Sequence, residues 1–217
     1  MDPGHAVNPE SSAIASVTSY GADAYLVRAT HPDDVANLLV AIDEQAVDHP
    51  ALREAHAGEQ SILVRFDPTA NGAREIKDAL TQLVPHQQPR THAAVTLPIR
   101  YDGPDLAAVA DGANLSVEAA VAMHQRATYR VAFCGFTPGF AYLTGLPEAL
   151  HLPRLDSPRT VVPQGSVAIA AHYCAVYPSK SPGGWLLIGT CDTKLFDPAT
   201  TPPALLTPGT TVNFEAS

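Results

Sequence analysis

TVVPQGSVAIAAHYCAVYPSKSPGGWLLIG, residues 160–189, decides the fold reading. Apolar runs of four to six residues alternate with Pro, Gly and Ser, and none is long enough for a helix of ordinary length. The same texture extends in both directions. Upstream lie YRVAFCGF (129–136) and AYLTGL (141–146); downstream lie KLFDP (194–198) and TVNFEA (211–216). Proline cannot donate to a strand ladder and ends helices, so short strands joined by tight turns are the expected outcome. From Tyr129 onward the chain therefore reads as a β-barrel or sandwich.

Further upstream the texture changes. GPDLAAVADGANLSVEAAVAMHQRA, residues 103–127, predicts two short helices joined at Gly112, with Ser116 as the cap of the second and Glu118 in its first turn. AYLVRA (24–29) and SILVRFD (61–67) have strand character. Pro32, Asp33 and Asp34 open a helix whose Val35, Leu38, Leu39 and Ile42 share one face, and a second amphipathic helix is expected over 73–83. A further strand begins near Ala93. The order β-α-β-α-β suggests a small α+β domain over residues 14–92, after a disordered tail at 1–13 and before a β-rich domain at 93–217.

The 217 residues suffice for two modest cores. A formal charge of −9 repels phosphate backbones and anionic surfaces, so nucleic acid is not an expected partner. No basic leader or membrane-length apolar run is present, so a membrane is not expected either. Three cysteines, Cys134, Cys174 and Cys191, without a C-x-x-C pair, suggest neither a disulfide framework nor a zinc ribbon and fit a cytoplasmic location. His86 with His92, and His49 with His56, lack metal-site spacing, so no metal is assigned.

The series FCGFTPGFAYLTGL, LPRLDSPRTVVPQGSVAIA, VYPSKSPGGWLLIG and KLFDP resembles the signature region of the family that unites allophanate hydrolase subunit 1, KipI and the B-type subunit of 5-oxoprolinase, a carboxyltransferase domain of the subdomain C/D type. The resemblance covers most of the second half, with Gly103-Pro-Asp-Leu106 and His124 in matching places. It implies an α+β fold, with a small N-terminal α+β domain followed by a cyclophilin-like β-barrel. It also implies a second cyclophilin-like subunit as partner, of the kind represented by allophanate hydrolase subunit 2, KipA or the C-type subunit of 5-oxoprolinase. One departure stands out: relatives read Gly-Ile-Ala-Gly-Gly-Gln-Thr-Gly before the Tyr-Pro, where this chain has AIAAHYCA, an expected change in the wall of the pocket.

Several residues within this region have a chemical use. Arg154 and Arg159, in the paired steps of PRLDSPR, offer guanidinium forks to a substrate carboxylate or amide oxygen; alternatively they pair with Asp156 or backbone carbonyls and hold the loop. His124, late in its helix, is a candidate general base or a helix cap. Ser166 could bond a ligand but lacks a nucleophile elbow. Tyr177 and Trp185 wall a pocket or seal the barrel, and Gly183 permits close backbone approach.

The function implied by the resemblance is a subunit of an ATP-dependent amide or lactam hydrolase, inactive alone, which shares a composite site for a small amide substrate with its partner. The chain lacks a phosphate-binding G-x-x-x-x-G-K-[ST] loop, so it is expected to bind no cofactor, and ATP belongs to a third subunit. Two other readings are a KipI-type inhibitor of a sensor histidine kinase and a urea-carboxylase-like carboxyltransferase module.

Overall fold

The computed structural model describes residues 12–84 and 94–217. The chain divides into two compact units, Met1–Pro89 and Arg90–Ser217. The boundary expected near residue 92, and residues 1–11 of the expected tail, lie outside the described residues. Ser12 and Ala13, the last two residues assigned to that tail, are held in place: the Thr30 hydroxyl donates to the Ser12 carbonyl at 2.6 Å, and the Thr30 amide to that of Ala13 at 2.8 Å.

The first unit contains β1 (Ile14–Ser19), β2 (Ala24–Ala29), α1 (Val35–Asp48), β3 (Leu52–Ala57), β4 (Ser61–Phe66) and α2 (Ile76–Thr81). Its sheet has the order β1-β2-β4-β3 and is antiparallel throughout. Pro32 opens the 3-10 turn ahead of α1, where its missing N–H costs nothing. Val35, Leu38 and Ile42 of α1 and Ile76 and Leu80 of α2 pack in one core with Val27, Ile62 and Val64 of the strands. Leu39, expected on the same helical face, is only partly buried.

Two expectations for this unit need correction. β1 and β3 carry no clear apolar alternation: LREAHA buries only its leucine fully and lies at the sheet edge, where charge is tolerated. The strand beginning near Ala93 does not complete the small sheet. It is β5 (Val95–Ile99), and it pairs in parallel with the last strand of the second unit. Its partner is separated from it by more than a hundred residues of sequence, beyond the reach of any local pattern.

The second unit continues with α3 (Leu106–Gly112), α4 (Val117–Arg126), β6 (Tyr129–Cys134), β7 (Ala141–Thr144), β8 (Arg159–Val162), β9 (Ser166–Ala170), β10 (Tyr173–Val176), β11 (Ser181–Gly183), β12 (Leu186–Thr190) and β13 (Thr211–Ala216). Ser116 caps α4 by accepting the Ala119 amide at 3.1 Å, as its sequence predicts. Seven strands form one sheet in the order β12-β9-β10-β7-β6-β13-β5. Its two edges meet at the bridge Arg100–Thr190, with reciprocal backbone bonds of 2.9 and 2.8 Å, so the sheet is nearly closed into a barrel. Gly103 makes the closure possible, because a Cβ there would collide with the Leu187 carbonyl and the Ile188 backbone. KLFDP contributes no strand; it makes only the isolated bridge Phe196–Ala204, in a segment with prolines at 198, 202 and 203.

Because strand side chains alternate, β9, β10 and β12 serve two cores at once. Val167, Ile169, Cys174, Val176, Leu186 and Ile188 enter the main barrel core. Ala168, Ala175, Tyr177 and Leu187 enter a second cluster with Phe140 and Val162. The β8–β11 ribbon accompanies this second cluster, and the candidate site is built there. Among the described residues, no single helix is long and apolar enough to cross a membrane.

Candidate functional site

The small residues Ala168 and Ala175 leave space beside the sheet, and Phe140 fills part of it. Phe140 is 2% exposed and is the centre of an aromatic group. Its ring centroid is 5.3 Å from Phe136, 5.0 Å from Tyr142, 5.3 Å from Tyr177 and 5.8 Å from Trp185, all edge-to-face. Such geometry sets the electropositive edge of one ring against the face of another and holds the group rigid. These rings, together with Arg154, Pro158, Pro182, Gly183 and Gly184, line a half-open cavity of about 310 Å³.

Three segments supply the walls. The turn between β6 and β7 is pinned by the Gly135 amide donating to the Phe140 carbonyl (3.1 Å) and the Phe140 amide to that of Thr137 (3.0 Å). It holds Phe136, a residue 58% exposed, at φ 67°, an unfavourable backbone state for a bulky residue. The segment before β8 brings Arg154 and Pro158 and is tied to the opposite wall by the Leu155 amide donating to the Gly184 carbonyl at 2.7 Å. The ribbon β8–β11, with Gly183 opposite Arg159, carries Pro182 and Gly183 and leads into Trp185.

Arg154 is the one charged side chain among the ten residues lining the cavity, and it makes no ion pair or hydrogen bond among the described residues. Burial raises the pKa of Tyr142 and of Tyr177 above the ordinary phenol value, so both remain neutral donors at physiological pH. None of the ten is a carboxylate, imidazole or thiol.

Of the seven residues singled out in the sequence, four line the cavity: Arg154, Tyr177, Gly183 and Trp185. Arg159 does not. Its Nη2 donates to both Asp105 carboxylate oxygens, at 2.6 and 2.9 Å, and its Nη1 to the Trp185 carbonyl at 3.3 Å. The loop-holding alternative for Arg159 is thus the one the geometry displays, although the acid is Asp105, 54 positions away, and not Asp156. Ser166 is 3% exposed within β9, paired with Thr190 of β12, and outside the cavity lining.

His124 is also away from the cavity. It is 1% exposed in the barrel core, against Tyr129 and Phe214. Nδ1 shares a hydrogen bond with the Tyr101 hydroxyl at 2.9 Å, and Nε2 one with Cys174 Sγ at 3.4 Å. Burial holds its pKa down at about 3, so the ring is neutral and both nitrogens are occupied. That placement is a satisfied core histidine and offers no open nitrogen to a substrate. AIAAHYCA, residues 168–175, forms the β9–β10 hairpin and none of it lines the cavity directly; it backs the wall instead, with Ala168 and Ala175 in the cluster of Phe140 and Tyr173 edge-to-face on Tyr142 at 5.5 Å.

Phe136, Phe140 and Tyr142 were missed as site residues. The signal was present in FTPGFAY, where Pro138-Gly139 marks a tight turn between two phenylalanines, but only the folded turn sets Phe136 against Phe140 and Phe140 against Trp185.

Residues 15–206 match the family model described as carboxyltransferase domain, subdomain C and D. Among curated proteins, the chain is similar to the 5-oxoprolinase B-type subunit of Escherichia coli O157:H7, 49% identical over 123 residues that cover 55% of this chain and 56% of that one. It is similar also to the 5-oxoprolinase B-type subunit of Bacillus subtilis (strain 168), 37% identical over 150 residues covering 68% and 62%. The alignments thus span little more than half the length of these relatives. Among solved structures, TTHA0988 superposes with a TM-score of 0.79 at 34% identity over 89% of this chain and 40% of that one. The urea amidolyase of K. lactis, at 17% identity and a TM-score of 0.65 over 95% of this chain and 16% of that one, shares the fold. With the family model matched from β1 to beyond β12, the chain belongs to the carboxyltransferase domain, subdomain C and D family.

Proposed function

We propose that the chain is the B-type subunit of a 5-oxoprolinase, and that its aromatic cavity holds 5-oxoproline while other subunits supply ATP and the chemistry of ring opening. The observation that carries this reading is the pairing of an apolar aromatic cavity of about 310 Å³ with a single uncommitted guanidinium, that of Arg154. This volume is at the small end of ligand sites and suits a five-membered ring better than a peptide. The flat faces of the lactam lie against the rings, and Arg154 takes the carboxylate in a charge-assisted hydrogen bond. The likeness to curated 5-oxoprolinase B-type subunits supports the same substrate.

The lining also supports the role of one part in a larger enzyme. No lining side chain can accept a proton near neutral pH, and His124 is engaged elsewhere. This chain binds and orients the ring; nucleophile, base and phosphate donor come from a second cyclophilin-like subunit and an ATP-using third. In the assembled complex, Arg154→Ala is expected to lower kcat/KM for 5-oxoproline-dependent glutamate formation by about 10- to 100-fold, the worth of one charge-assisted bond. Unchanged turnover with the alanine variant, or full turnover without this chain, refutes the reading.

A further inference from the structure

The barrel satisfies its other deeply placed phenols. Tyr129 donates to the His124 carbonyl at 3.0 Å, and Tyr101 shares a bond of 2.9 Å with His124 Nδ1. Tyr177, the more buried of two wall tyrosines whose hydroxyls make no such bond, differs. It is 2% exposed, yet its hydroxyl makes no hydrogen bond among the described residues. The hydroxyl is not one of the fully enclosed unpaired groups, so it keeps open surface and is free to donate to a partner that reaches it.

Geometry says where that partner sits. The hydroxyl lies against the bare α-carbon of Gly183, so close that a Cβ at that position would collide with it. Gly183 and Tyr177 are both cavity wall, so the hydroxyl end of the ring is at the cavity surface. It is not sealed in protein in the manner of the Ser181 hydroxyl, which is enclosed without a partner nearby. Tyr142, another wall residue, likewise makes no hydrogen bond through its hydroxyl among the described residues, so the cavity presents donors and no anionic acceptor.

We infer that the Tyr177 hydroxyl donates to the ring carbonyl oxygen of the bound ligand, which makes Tyr177 the residue that selects a lactam over a ring acid without a carbonyl. The inference rests on the cavity being the ligand site, as in the reading above, and assigns its two polar contacts to two parts of one molecule. Arg154 reads the carboxylate. Tyr177 reads the carbonyl, and a ligand lacking that oxygen leaves the phenol buried and unpaired, at a cost to its affinity. Gly183 is glycine because any larger residue would push the hydroxyl out of place.

Trp185 is the only tryptophan of the chain and is part of the cavity wall, so its fluorescence reports occupancy directly. The purified chain is titrated with 5-oxoproline, with cyclopentanecarboxylate (ring and carboxylate, no carbonyl) and with 2-pyrrolidone (lactam, no carboxylate). The wild-type chain is expected to bind 5-oxoproline about 10- to 100-fold more tightly than cyclopentanecarboxylate. Tyr177→Phe is expected to erase that preference by weakening 5-oxoproline and 2-pyrrolidone while leaving cyclopentanecarboxylate unchanged. Arg154→Ala weakens the two acids and spares 2-pyrrolidone. Because the hydroxyl has no partner in the protein, Tyr177→Phe leaves the melting temperature unchanged, whereas a structural role would lower it. A phenylalanine variant that keeps the preference, or loses all three ligands equally, overturns the inference; so does a wild-type chain that binds none of them. If instead the selectivity behaves as stated but the assembled complex does not turn over 5-oxoproline, the assignment of function fails and that of Tyr177 stands.

Discussion

Asp105→Ala removes three hydrogen bonds at one point of the barrel. Its carboxylate accepts Arg159 Nη2 through both oxygens, and Oδ2 also accepts the Leu187 amide at 2.7 Å. The Asp105 amide returns a bond to the Leu187 carbonyl at 3.0 Å, so the residue extends the ladder of β12 with its side chain. The side chains of the pair are 27% and 13% exposed, which places the interaction between a surface pair and a buried one. Stranding the Leu187 N–H costs about 1–3 kcal/mol. Leaving Arg159 unpaired adds about 1–2 kcal/mol, less than the loss of a wholly buried pair because solvent reaches the guanidinium. A total of about 2–5 kcal/mol lowers the melting temperature by about 4–20 °C for a chain of this size. Asp105→Asn keeps an acceptor for Leu187 and is expected to lose about half as much. Thermal melts followed by circular dichroism, with 5-oxoproline titrated against Trp185 fluorescence below the transition, measure both consequences. An alanine variant that melts within about 2 °C of wild type would refute the assignment of Asp105 and Arg159 as a structural tie.

The neutral, buried His124 makes stability depend on pH. Its folded pKa, near 3, is below the ordinary 6.5, so the unfolded chain binds the extra proton between those values and stability falls as pH drops from 6.5 toward 3. His124→Gln is expected to flatten that slope, by up to about 1.4 kcal/mol per pH unit, in urea melts at pH 7, 6, 5 and 4; an unchanged slope refutes it. Ser116→Ala deletes the cap of α4 and is expected to cost about 1 kcal/mol in the same melts, with Ser116→Gly costing less. Gly103→Ala forces a Cβ into the Leu187 carbonyl at the closure of the barrel and is expected to destabilise more than either, whereas Gly58→Ala, whose Cβ would meet Ser61 only at an ordinary contact distance of 3.5 Å, changes little.

How much of this was legible in the sequence differs between the two units. In the second, strand punctuation by Gly and Pro predicts the β-rich half, and Ser116 predicts the start of α4, because both signals are local. In the first, the apolar face of α1 is legible but β1 and β3 are not, since edge strands carry little apolar pattern. The site was partly legible. Arg154, Tyr177, Gly183 and Trp185 stand out as unusual residue types among turn signals, and all four line the cavity.

What the sequence by itself determined is therefore local: turns, caps, short strands, and a set of motifs specific enough to name a family. What only the tertiary structure decided is which partners those residues meet. Two arginines in near-identical Pro-Arg steps have opposite fates, Arg159 bonded to an aspartate 54 residues away and Arg154 left open to a cavity. A histidine with the chemistry of a base is a neutral core residue because β10 and the segment after β5 close around it. Closure of the barrel brings β5 beside β13 and Arg100 beside Thr190. Contacts at such separations are set by packing in three dimensions, and no window along the chain contains both of their ends.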